Sequence, residues 1–162
     1  MADLTPSQTV GPFFSLGLCL RPEHELVPAS ADGAVAISGR VLDGDGEPVP
    51  DAVVEVWDRS GGRWGRCATD AEGGYRLVSA RPRAGPDAQA PHLALLVFAR
   101  GLLKPVLTRV YLPDETQANA ADPVLSALDP AERATLVAHP DGDGLRFDIR
   151  LQGDGQTTFF AL

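Results

Sequence analysis

The sequence predicts an all-β domain, an antiparallel β-sandwich of about seven or eight strands with two short helices and an extended N-terminal arm. Short runs that alternate between apolar and polar residues are typical of half-buried strands. The 17 glycines and 14 prolines among 162 residues fall between these runs, as in all-β domains. The length is that of one domain. We therefore divide the chain into an arm, residues 1–34, and a sandwich domain, residues 35–162.

The predicted strands follow one another at turn-rich intervals. They cover residues 35–42, 52–58, 66–69, 75–80, 92–100, 106–112 and 145–151. Residues 145–151 alternate strictly, which predicts a strand with Leu145, Phe147, Ile149 and Leu151 facing inward. Residues 92–100 are apolar on both faces, which predicts a strand buried on both sides in the middle of a sheet.

Two capping-box patterns predict the short helices. Asp114 precedes Gln117 by three residues, and Asp129 precedes Glu132 by three, with Pro130 at the first helical position. We expect helices at about 115–121 and 130–137.

The arm combines chain breakers with apolar residues. Breakers such as Pro6, Gly11 and Pro12 prevent a long helix. Phe14 and Leu16 belong to an apolar set that is too large for a solvated tail. The arm therefore needs a surface to lie on, and both its own domain and a neighbouring chain remain possible.

The charge balance excludes several partner classes. A net charge of −8 and a pI near 4.7 argue against nucleic acid and anionic membrane surfaces, because phosphate groups would be repelled. No apolar run approaches the ~20 residues that span a bilayer, and the N-terminus does not resemble a signal peptide. We expect a cytoplasmic location. Cys19 and Cys67 could form a disulfide, but in a chain without an export signal two free thiols are expected.

A metal site built from this chain alone is not expected. Two ligands at positions i and i+2 of one strand would share a face, but His92 is followed at that spacing by Ala94. His24 and His139 lie far apart in the sequence, and no paired cysteines are present. The sequence also lacks a recognisable nucleophile turn.

Arg100 is the most prominent candidate binding residue. It closes the predicted strand 92–100 and is followed by Gly101. An arginine at the end of an apolar strand would be partly desolvated and would need an anionic partner. A structural ion pair with an acidic residue and a ligand carboxylate both remain open. Arg109, in the next strand, raises the same question less strongly.

Several ordered blocks resemble one known family. They are residues 5–13, 90–101, 108–111, 114–125, 146–153 and 156–160. These blocks are similar to the α subunits of protocatechuate 3,4-dioxygenase, which belong to the intradiol ring-cleavage dioxygenases. The resemblance extends over nearly the entire chain.

The resemblance implies a β-sandwich that pairs with a homologous β subunit in a hetero-oligomer. In the family, the β subunit holds a non-haem Fe(III) through two tyrosines and two histidines, the histidines at i and i+2 of one strand. Here the matching strand carries His92 but Ala94, Asp87 stands in the place of one tyrosine, and the region after Trp57 is shortened. The resemblance therefore implies that the partner binds the iron and that this chain has no metal ligands and no catalytic residue.

The resemblance also implies the substrate and the residues that contact it. The enzyme cleaves protocatechuate with O2 to 3-carboxy-cis,cis-muconate. The arm is expected to pack on the partner subunit, with Thr9, Gly11, Pro12 and Phe13 beside the substrate and Arg100 near its ring. Phe13 stands where the family often has tyrosine, so a phenolic hydrogen bond is missing. The alternative function is a non-catalytic, transthyretin-like binding module.

Overall fold

A computed structural model describes residues 5–9, 11, 14–85 and 88–161. In this part of the chain, nine strands form two sheets that pack face to face, with four short helices outside them. The strands are β1 (Ala34–Leu42), β2 (Val53–Asp58), β3 (Arg63–Ala68), β4 (Gly74–Ala80), β5 (His92–Phe98), β6 (Val106–Tyr111), β7 (His139–Asp141), β8 (Gly144–Arg146) and β9 (Ile149–Arg150). The helices are α1 (Phe14–Leu18), α2 (Thr116–Ala121), α3 (Pro123–Ala127) and α4 (Pro130–Ala134). The predicted β-sandwich is confirmed.

The two sheets differ in how their strands pair. The first has the order β4-β1-β8-β7, with β9 also paired to β1, and the second has the order β3-β2-β5-β6. The second sheet is antiparallel throughout. In the first sheet β8 and β9 run parallel to β1, whereas β8 is antiparallel to β7. The predicted antiparallel pairing therefore holds for all pairs of strands except these two with β1.

The core lies between the facing sides of the sheets. Leu93, Leu95 and Val97 of β5 are fully buried there, and the side chains between them are only half-buried. The prediction that this strand is covered on both faces is therefore wrong, because nothing in the described part of the chain covers the centre of its outer face. That outer face becomes important for the functional site.

The predicted strand 145–151 is split into β8 and β9. Tyr75 donates a hydrogen bond to the Phe147 carbonyl (2.5 Å), and Asp148 accepts one from the backbone N–H of Arg40 (2.8 Å). A Cβ atom at Gly39 would lie 1.8 Å from the Phe147 oxygen, so only glycine allows this close approach. The chain thus bends at 147–148, while Phe147 and Ile149 remain buried as predicted.

The capping predictions were half correct. Asp129 and Glu132 form the predicted capping box at the start of α4. The box predicted at Asp114 is wrong: α2 begins after Glu115, which makes no capping hydrogen bond, and Asp114 instead pairs with Arg81 at 2.8 Å. No local sequence pattern predicted β7, α1 or α3. None of the described helices is long and apolar enough to cross a membrane.

The end of the arm joins the two sheets. The carbonyl of Glu23 accepts a hydrogen bond from the N–H of Arg66 in β3 (2.9 Å), and Leu26 donates one to Val78 in β4 (2.8 Å). Residues 23–26 therefore pack on this chain's own domain. Cys19 and Cys67 are both free thiols, and burial raises the pKa of each.

Candidate functional site

The outer side of the β3-β2-β5-β6 sheet carries an exposed apolar surface. The strand register places Trp64, Trp57 and Ala94 in one row across the sheet, and Leu96 and Leu107 face each other in the next row. We call these five residues the tryptophan face. Trp57 is 45% exposed and Trp64 is 41% exposed, and a cavity of ≈ 330 Å³ lies against the face.

Two charged side chains beside the tryptophan face, Arg66 and Glu55, compensate each other. Arg66 and Glu55 form an ion pair at 2.7 Å, and the Arg66 guanidinium lies 4.4 Å from the Trp64 ring centroid. The tryptophan face therefore presents a mostly apolar surface, of the kind that marks interaction sites in soluble proteins.

His92 lies on the same outer side at the start of β5. Its ring centroid is 5.1 Å from that of Tyr111, and its Nδ1 is 2.8 Å from the Ala90 carbonyl oxygen. Because a carbonyl only accepts hydrogen bonds, Nδ1 carries the proton. Burial lowers the pKa of His92 below its usual value of 6.5, so the imidazole is neutral at pH 7.

Tyr111 and Asp122 form a buried polar cluster beside His92. Arg109 donates from Nη1 to the Tyr111 hydroxyl (3.2 Å), which in turn donates to Asp122 (3.4 Å). Asp122 also accepts the N–H of Ala90 at 2.7 Å. Burial raises the pKa of Tyr111, so it remains a phenol. This hydroxyl is neutral, and Arg109 forms no ion pair within the described residues.

These residues do not fit the ligand set of an intradiol iron site. At the two family histidine positions the outer side of β5 carries His92 and Ala94. The Tyr111 hydroxyl is engaged by Arg109 and Asp122. Within residues 5–9, 11, 14–85 and 88–161, no group of three or more His, Cys, Asp or Glu side chains could hold a metal ion. Asp87, which stands in the place of a family tyrosine, lies outside the described residues.

Arg100 occupies a turn rather than a strand. β5 ends at Phe98, and Arg100 begins a turn in which Gly101 has φ of 85°. The prediction of a desolvated strand end is wrong, since the Arg100 side chain is 62% exposed. Its Nε contacts Asp51 Oδ2. An ion pair is thus present, and most of the guanidinium remains open to solvent.

The N-terminal segment lies next to the Arg100 turn. Gln8, which the sequence analysis did not single out, lines a small cavity of ≈ 40 Å³ together with Phe98, Ala99 and Leu102. The adjacent Thr9 is exposed, and Gly11 has φ of 76°. The arm at Gln8 therefore lies next to the residues that flank Arg100 in the chain. Pro12 and Phe13 lie outside the described residues.

Comparisons with known proteins identify relatives along the whole chain. The carboxypeptidase regulatory-like domain family matches residues 36–90. The protocatechuate 3,4-dioxygenase alpha chain of Burkholderia cepacia is 39% identical, over 96% of this chain and 96% of that protein. The beta chain from the same organism is 30% identical, over 76% of this chain and 66% of that protein.

A solved structure shares the fold. The dioxygenase domain of a dioxygenase and carbohydrate-binding protein fusion from Streptomyces sp. SirexAA-E has a TM-score of 0.60 and 24% identity, and the match covers 93% of this chain and 99% of that one. This likeness supports the sandwich fold. With the alpha-chain relative matched over nearly its whole length, this chain belongs to the family of protocatechuate 3,4-dioxygenase alpha chains, within the intradiol dioxygenases.

Proposed function

We propose that this chain is the α subunit of a protocatechuate 3,4-dioxygenase and acts only in complex with a homologous β chain. The complex would cleave protocatechuate with O2 to 3-carboxy-cis,cis-muconate. The observation that carries this proposal is the 39% identity to an alpha chain over 96% of both proteins. The weaker match to a beta chain supports a homologous partner with the same fold.

The second part of the proposal assigns the iron to the β chain. The support is the donor set: β5 offers one imidazole, at His92, where the family uses two, and the nearby Tyr111 hydroxyl is held by Arg109 and Asp122. A non-haem Fe(III) in the partner would supply the activation of the catechol. This chain would complete the wall of the substrate pocket and contribute no side chain that binds the iron.

The third part concerns recognition of the substrate carboxylate. A protein with a net charge of −8 repels an anionic substrate unless a local cation attracts it. Arg100 supplies an exposed guanidinium in the turn that follows β5. We therefore assign substrate contacts to Arg100 and to Thr9, Gly11, Pro12 and Phe13 of the arm.

Association with the β chain has further support in the tryptophan face. Two tryptophans that are more than two-fifths exposed and lie beside a cavity are unusual on a surface that faces only water. Burying large aromatic side chains contributes strongly to protein interfaces. We assign this surface to the contact with the β chain.

Co-expression with the β chain tests the proposal directly. We expect stoichiometric iron and oxygen uptake with protocatechuate only when both chains are present. If the complex does not form or remains inactive, the binding-module alternative is favoured. Iron at one per chain and visible colour in this chain alone would instead indicate a self-sufficient intradiol enzyme.

The role of Arg100 has its own test within the complex. Arg100→Ala removes a charge-assisted contact, so we expect kcat/KM for protocatechuate to fall by about tenfold to a hundredfold. Arg100→Lys would recover only part of this loss, because lysine lacks the planar guanidinium that donates two parallel hydrogen bonds to a carboxylate. Arg40→Ala, at an exposed arginine on the other sheet, is the control. Kinetics of Arg100→Ala that match those of Arg40→Ala would remove Arg100 from the site.

A further inference from the structure

Asp51 lies directly opposite Arg100 because of the strand register. β2 and β5 are antiparallel, and Val53 pairs with Phe98. Continuing this register by two residues beyond the ladder brings Asp51 to Arg100. Their contact therefore follows from the way the two strands pair.

The contact occupies only one edge of the guanidinium. Arg100 meets Asp51 Oδ2 through Nε in an ion pair that lacks hydrogen-bond geometry. Within the described residues, Nη1 and Nη2 of Arg100 form no hydrogen bond. Two parallel N–H groups of this kind match the two oxygens of a carboxylate.

The loop that carries Asp51 is held firmly on the neighbouring strand. The Ala52 N–H donates to Thr69 Oγ1 (2.9 Å), and the Thr69 hydroxyl donates to the Val49 carbonyl (2.8 Å). Ala52 is fully buried. The backbone on both sides of Asp51 is thus fixed, so its carboxylate is a rigid support rather than a mobile surface charge.

We propose that Asp51 is a positioning residue: it holds Arg100 through Nε so that the two Nη groups point to the carboxylate of protocatechuate. This inference rests on the proposed role of Arg100 in the α–β complex. Its physical basis is preorganisation, since an arginine that is already oriented loses less conformational freedom when it binds.

Two variants of Asp51 separate the charge of its side chain from the size. In the complex with the β chain, Asp51→Ala removes the support, and we expect KM for protocatechuate to rise about tenfold with kcat unchanged. Asp51→Asn keeps the size but removes the negative charge that attracts the guanidinium, so we expect a similar rise in KM. Neither variant should alter KM for a catechol that has no carboxylate.

Other results would overturn the inference. A fall in KM for both variants would mean that Asp51 competes with the substrate for Arg100. A lower melting temperature with unchanged KM would mean that the ion pair is only structural. In the Arg100→Ala background, Asp51→Ala should have no additional effect on KM, and an undiminished effect there contradicts positioning.

The same measurements distinguish the inference from the proposed function. If Arg100→Ala raises KM and Asp51→Ala does not, the inference alone fails. If Arg100→Ala leaves KM unchanged, or the two chains form no active complex, the proposed function fails and the inference fails with it.

Discussion

Asp122 and Asp129 form a matched pair whose comparison measures how much a buried carboxylate contributes to this fold. Both are N-cap residues followed by proline, at α3 and α4. Asp129 is exposed and bonds only within its own capping box. Asp122 is fully buried and accepts the N–H of Ala90 (2.7 Å) in addition to capping its helix.

The two alanine substitutions should differ clearly in cost. Asp129→Ala removes an exposed cap, and we expect it to lower the free energy of unfolding by about 1 kcal/mol. Asp122→Ala removes a cap and also leaves the Ala90 N–H without a partner, so we expect a loss of about 2–4 kcal/mol. Asp122→Asn retains an acceptor and should fall between these values.

Urea unfolding of the purified variants provides the measurement. The midpoint should shift while the dependence on urea stays constant, because the surface exposed on unfolding is unchanged. If Asp122→Ala and Asp129→Ala cost the same within error, the tertiary bond to Ala90 contributes nothing measurable and the reasoning is refuted.

Three further predictions concern the arm, the tryptophan face and His92. Deleting residues 1–14 should weaken assembly with the β chain and lower oxygen uptake, because burying each large apolar side chain of the arm contributes about 1.5–3 kcal/mol to the free energy of association. Unchanged assembly and turnover would show that the arm only covers its own domain. Trp57→Ser should weaken assembly in titrations with the β chain, whereas Asp143→Ser, at the exposed turn between β7 and β8, should not; equal affinities would place the interface elsewhere. Burial lowers the pKa of His92 in the folded protein, so the unfolded chain binds a proton more readily than the folded one. The protein therefore keeps the full contribution of His92 to its stability above about pH 6.5 and loses this contribution as the pH falls below that value. His92→Gln should therefore flatten the decline in unfolding free energy between pH 7 and pH 5, and parallel curves for both proteins would contradict this assignment.

Local sequence patterns predicted most of the strands but not where they end. Alternation correctly placed Phe147 and Ile149 in the core. The apolar run that includes Phe98 continues to Ala99, so nothing local marks the end of β5. That end depends on where β2 stops pairing, which is a tertiary property.

The residues of the candidate site depend even more on tertiary pairing that local sequence does not reveal. The family resemblance indicated Arg100, but Asp51 is 49 positions earlier in the chain, and only the register brings the two together. α3 begins with the same Asp-Pro pair as α4, but Leu125 stands at its N3 position where α4 has Glu132, so no capping box marks its start. The substrate contacts assigned to Thr9, Gly11, Pro12 and Phe13 remain predictions.

The outermost strands of both sheets offer little free backbone to another protein. Glu23 bonds to the edge of β3, Leu26 to the edge of β4, and Phe160 donates to β6. The remaining edge strand, β7, is three residues long and contains Pro140, which cannot donate a hydrogen bond. Joining of sheets between chains depends on free main-chain N–H and C=O groups at these edges, and the arm and the C-terminal segment occupy part of them. A partner must instead recognise side chains on the sheet faces, so point mutations there can change which chain this protein accepts.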